Sequence, residues 1–195
     1  MTTINQEIIK LIRSDRRTIS LEIAPSGQVL LRAPKHMSEA EIQGFVEEKS
    51  SWLAKHLQKR EEDMDSLQAE GRFTEGEIER LIKLAKQVIP AKVAYYARLM
   101  GVTYGRITIR KQKTRWGSCS LEGNLNFNGL LMMVPPEVLD YVVVHELCHR
   151  LEMNHSSRFW SQVENVIPNY RKPRKWLKEY GSRLMLRMHG TANGE

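Results

Sequence analysis

The most specific chemistry in the chain lies in His145-Glu146-Leu147-Cys148-His149. On a helix, residues four apart lie one above the other on the same face, so His145 and His149 can turn both imidazoles onto one cation. Zinc accepts imidazole nitrogens at about 2.0–2.1 Å, which suits this spacing. Glu146 then sits beside the ion without having to ligate it, as a general base that takes a proton from water must. With this content of His and Glu, chance yields the pattern roughly 0.02 times per chain.

A catalytic zinc site needs a third protein ligand and one open position. Three of the chain's 6 histidines fall within eleven residues, which points to His155. On an uninterrupted helix His155 would lie about 15 Å along the axis from His145 and about 80° around it. The helix must therefore stop and the chain turn back. Asn154 is the expected turning residue, because asparagine accepts a left-handed conformation. Glu164, on the next expected helix, is an alternative third ligand, since glutamate also completes such sites. Glu152 shares the histidine face but lies too far along the axis, and suits orienting an imidazole instead.

Several elements must position these groups. Pro135-Pro136-Glu137 starts the histidine helix, proline being tolerated in a first turn. Before it, 106–111, 114–120 and 124–134 read as strands, the last two joined by the turn Leu121-Glu122-Gly123. Asn124–Gly129 alternates Leu125 and Phe127 with three asparagines, as an edge strand that could take up an extended peptide would. Thr74 opens a capping box, TEGE, leading a helix that Pro90 should kink or restart and Gly101 should end. Residues 59–71 are charged and read as a linker or helix junction. Further upstream, SEAE from Ser38 caps a helix with an apolar stripe through Ile42, Phe45, Val46, Trp52, Leu53 and Leu57. A hairpin precedes it: 18–22, the turn Pro25-Ser26-Gly27, and 28–33.

Arg115-Trp116-Gly117-Ser118-Cys119-Ser120, the strand 124–136, VVVHELCH at 142–149 and Met153-Asn154-His155-Ser156-Ser157-Arg158-Phe159-Trp160 together resemble the YgjP-like metallopeptidase family, a zincin group similar to the SprT-like proteases. The N-terminal hairpin and the helix after Ser38 fit as well, so the resemblance spans roughly residues 15 to 180. It implies a zinc site with His145, His149 and His155 as ligands, Glu146 as catalytic base, and a peptide or protein substrate. The expected fold is α+β: a zincin-like core over 74–195, with a small antiparallel sheet packed on the active-site helix, and an N-terminal β-hairpin and helix subdomain over 1–73.

Around the site, Arg158 and Tyr170 are candidates to stabilise a developing oxyanion. Trp116 reads as core, and Gly117 as a point of close backbone approach. Cys148 and Cys119 read as buried, inert thiols. Two cysteines make no disulfide framework, so the cytoplasm is the expected compartment. No stretch approaches the roughly 18 apolar residues of a membrane helix, and the N-terminus lacks the apolar core of a secretory signal. Of the net charge of +7, residues 1–75 carry −2 and 76–195 carry +9. The densest basic run, 171–178 (RKPRKWLK), reads as the wet side of a helix with Trp176, Leu177 and Tyr180 packed inward. The competing reading is a zinc protein that binds nucleic acid through this basic half, with Trp176 as a stacking surface.

Overall fold

The structure, a computed structural model, describes residues 9–24 and 27–189. Pro25 and Ser26 of the expected turn lie outside the described residues, as do residues 1–8 of the N-terminal stretch. The described residues form two compact units, one ending at Glu70 and one spanning Gly71–His189.

The first unit holds β1 (Ile9–Ser14), β2 (Ser20–Ile23), β3 (Val29–Pro34), α1 (Glu39–Glu48) and α2 (Ser50–Glu70). Strands β2 and β3 form the expected antiparallel hairpin, with Ser20 opposite Arg32 and Ile23 opposite Val29. A third strand, β1, adds in parallel on the other side of β3. Leu31, Ala33 and Ile42 form a small core, with Ile9, Leu21, Phe45 and Val46 packed against it. Helix α1 opens on the expected capping box: Glu41 N–H donates to Ser38 Oγ at 3.3 Å, and Ser38 N–H to Glu41 Oε2 at 2.8 Å.

The expected linker at 59–71 is instead the second half of α2. Apart from Gly71 at its end, this stretch is rich in strong helix formers. Pairs at four-residue spacing, Gln58 with Glu62 and Lys59 with Asp63, support it. The helix ends where Gly71 takes φ +71°.

The second unit begins with α3 (Glu75–Met100), capped by Thr74 and ended by Gly101 at φ +66°, both as expected. Pro90 does not restart this helix. The buried stripe Ala85, Ile89, Val93 and Ala97 packs into the main core and holds the helix together across the missing amide donor. Strands β4 (Ile107–Arg110), β5 (Gly117–Cys119) and β6 (Leu125–Asn128) follow, then a 3-10 turn at Gly129–Met132. Helices α4 (Pro136–Cys148), α5 (Ser157–Val166) and α6 (Arg171–His189) complete the unit.

The fold is α+β, but its sheets are mixed rather than antiparallel. In the second sheet β6 is central, antiparallel to β5 and parallel to β4. Alternation of side chains reports which face is buried and carries no direction, so the parallel pairing was not legible. The same order overturns the expectation that Asn124–Gly129 forms an edge: β5 and β4 are the edges. The strand also stops short of residue 134, because the Asn128 side chain accepts from Leu130 N–H at 3.1 Å and turns the chain.

Candidate metal centre

Helix α4 is apolar nearly all round because it runs through the core: Val138, Leu139, Val142, Val143, Val144 and Leu147 are buried. Its last turn carries His145, and His149 caps its end. Beyond His149 the chain reverses through short-range bonds, Arg150 N–H to Leu147 O and Leu151 N–H to Cys148 O, each 2.9 Å. The Arg150 side chain holds this turn to two other loops, with Nε on Thr103 O at 3.0 Å and Nη1 on Leu121 O at 2.9 Å. Asn154 does not adopt the expected left-handed conformation: among the described residues only glycines have positive φ. The tight turns at the helix end reverse the chain without it. Ser156 then caps α5, accepting from Phe159 N–H at 3.3 Å.

The reversal brings His155 back over the helix end. One ligand atom from each of His145, His149 and His155 lies within 4.8 Å of the others. Nε2 of His145 and Nε2 of His155 stand 3.0 Å apart. Two nitrogens bound to one tetrahedral ion at about 2.0–2.1 Å would stand about 3.3–3.4 Å apart, so the rings need to move very little to share one. His149 Nδ1–H donates to the Glu152 carbonyl at 3.2 Å, which leaves the lone pair on Nε2. Burial, then the charges of His149, His155 and Arg174, push His145 down to about 3, and burial lowers His149. Both imidazoles are thus neutral near neutral pH, the form that binds metal. These residues fit a divalent cation such as zinc.

Beneath the cluster lies Phe159, fully buried, with its ring centroid 4.9, 4.7 and 4.7 Å from those of His145, His149 and His155. Trp160 stacks on His155 at 5.7 Å. Neither was singled out for a role from the sequence. The signal available was the pair Phe159 and Val163, four apart on a helix that directly follows His155.

Glu146 is 6% exposed, and burial pushes its carboxyl up to about 8 against the lowering pull of Arg115. Its side chain lies against Gly117 of β5: a Cβ built on that glycine would fall 2.6 Å from Glu146 Oε1. The expected close approach at Gly117 is therefore made by the Glu146 side chain. Cys119, two residues on and half-buried, has its thiol raised by burial and then by the Glu146 charge. Cys148 is fully buried and pushed up to about 12. Trp116 is half-buried and packs against core residues, as expected.

The other candidates lie outside the group of three. The Glu164 carboxylate accepts from Arg171 at 2.8 Å. The Glu152 carboxylate pairs with Arg158 at 2.9 Å, so this residue meets His149 through its backbone. Tyr170 is buried and stacked on Trp160, with centroids 5.3 Å apart. The basic run 171–178 lies on α6, as expected, with Trp176 and Leu177 half-buried, but Tyr180 is exposed. Arg171 is paired with Glu164, Lys175 with Glu179 at 3.6 Å, and Arg174 lies 4.2 Å over the Trp160 ring. Nothing here supports nucleic-acid binding. Among the described residues, no helix is long and apolar enough to cross a membrane.

Three converging imidazoles, with a buried carboxylate between two of them in sequence, are groups of the kind that could hold a metal ion. The family described as YgjP-like, metallopeptidase domain, matches residues 17–81 and 74–180, and the chain belongs to it. Two solved structures are similar to this chain. The metallopeptidase zymogen of Pyrococcus abyssi abylysin is 21% identical, with 48% of this chain and 96% of that one covered, at a TM-score of 0.44. The metallopeptidase zymogen of Methanocaldococcus jannaschii jannalysin is 21% identical, with 46% and 93% covered, at a TM-score of 0.42. No curated protein matches significantly.

Proposed function

We propose that the protein is a zinc-dependent peptidase in which His145, His149 and His155 hold the ion and Glu146 carries protons. The observation that supports this most is the convergence of the three imidazoles, one ligand atom from each within 4.8 Å of the others, beside a carboxylate of the same helix turn. Zinc bound there would supply Lewis acidity, acidifying water and polarising a peptide carbonyl. Glu146 accepts a proton from the attacking water on one carboxylate oxygen and delivers a proton to the leaving amine nitrogen. The hydrogen bond from His149 to the Glu152 carbonyl fixes its tautomer. Phe159 and Trp160 pack against the imidazole rings and hold them in place. Strand β5 is an edge of its sheet, and an extended peptide substrate adds to it as a further strand.

Glu146→Gln, which keeps side-chain size and removes the base, tests this reading. The variant should bind one zinc per chain as the parent does, and its peptide hydrolysis should fall by about 10²–10⁴-fold. Equal turnover by parent and variant would remove Glu146 from the chemistry. A parent protein that takes up no zinc would end the metal assignment.

A further inference from the structure

The glycine at position 117 is not there for its backbone conformation: it is not among the residues with positive φ, and it sits within a regular strand. What it provides is space. A Cβ at this position would lie 2.6 Å from Oε1, 2.7 Å from Cγ and 2.9 Å from Cδ of Glu146, closer than real Cβ contacts come. Strand alternation places Gly117 and Cys119 on one face and Ser118 on the other, where Ser118 Oγ accepts from Asn126 Nδ2 at 3.2 Å. The Glu146 side chain therefore lies flat against β5 at its one residue without a side chain.

The strand cannot back away to make room. Asn128, fully buried, donates from Nδ2 to Gln112 O at 2.8 Å and to Arg115 O at 3.1 Å, and its N–H donates to Trp116 O at 2.9 Å. Trp116 is itself packed on α6, where a Cβ on Gly181 would come within 3.1 Å of its Nε1. With β5 pinned and α4 in the core, the movable part of the contact is the Glu146 side chain. We infer that Gly117 is a positioning residue: by lacking a Cβ it sets where the Glu146 carboxylate stands. The consequence for catalysis rests on the proton-carrying role proposed for Glu146, whereas the contact itself does not.

The test combines Gly117→Ala, Glu146→Ala and the double variant. Gly117→Ala should retain zinc affinity within about threefold, because it touches none of the three histidines. Its kcat should fall at least about tenfold with KM within about twofold, the signature of a group that acts in the transition state rather than in substrate binding. In thermal melts Gly117→Ala should lower the midpoint in the parent background and leave it unchanged in the Glu146→Ala background, where Cγ, Cδ and Oε1 are gone. An unchanged kcat, a parallel loss of zinc, or an equal destabilisation in both backgrounds would overturn the inference. Should Gly117→Ala alone fail to fold, recovery of folding in the double variant supports the contact and continued failure refutes it. If the zinc-loaded parent cleaves no peptide, the proposed function fails, while the melts still decide the contact.

Discussion

Zinc-free protein in which Glu146 is replaced by glutamine should lose the fall in stability that the parent shows on going from pH 6.5 to 8. The Glu146 carboxyl is raised by burial from 4.5 to about 8. Below pH 4.5 it is neutral in both folded and unfolded chains and costs nothing. As pH rises the unfolded chain ionises first, so stability is lost progressively until the folded group ionises near 8. Each pH unit in that window corresponds to about 1.4 kcal/mol. His145 and His149 run the other way: their lowered values remove stability as pH falls below 6.5 and leave the range above it to Glu146. Between pH 6.5 and 8 the parent should lose about 1.5–2 kcal/mol more than the glutamine variant. For a chain of this size that is about 3–8 °C in the melting midpoint. Circular-dichroism melts of both proteins in chelator at several pH values read this directly. Parallel midpoint-against-pH lines would show that the carboxylate is solvated in the folded protein, and the buried contact with β5 would be wrong.

Two other substitutions probe the cluster. His155→Ala removes an exposed side chain, so metal-free stability should stay within about 0.5 kcal/mol, while chelator competition should show zinc affinity falling more than about a hundredfold. Unchanged affinity, with loss on Glu164→Ala instead, would make glutamate the third ligand. Phe159→Ala deletes the buried ring beneath all three histidines and should cost about 3–5 kcal/mol in denaturant unfolding. The same variant should weaken zinc about 10–100-fold, as loss of a group that orients ligands does. Parental zinc affinity in a folded Phe159→Ala protein would show that the rings are oriented by other contacts.

Readings written within a few residues of chain hold at the helix ends. Capping at Ser38 and Thr74 is a side chain meeting an amide three positions away, and Gly101 ends α3 through its own φ. The pairing of His145 with His149 follows from helical periodicity alone. The stretch from residue 59 to 70 misled because its charge suggested a linker, although most of its residues are strong helix formers.

Sequence alone thus determined the donor types, the two-histidine helix face and the carboxylate beside it, because backbone geometry over one turn leaves little freedom. Only the tertiary structure decided the rest. It brought His155 rather than Glu164 to the two helix histidines, made β6 the centre of its sheet instead of an edge, slid Phe159 beneath the histidines and laid Glu146 on Gly117. Each of these joins groups whose approach depends on how whole elements pack, and packing distributes its energy over many side chains with no short pattern to mark it.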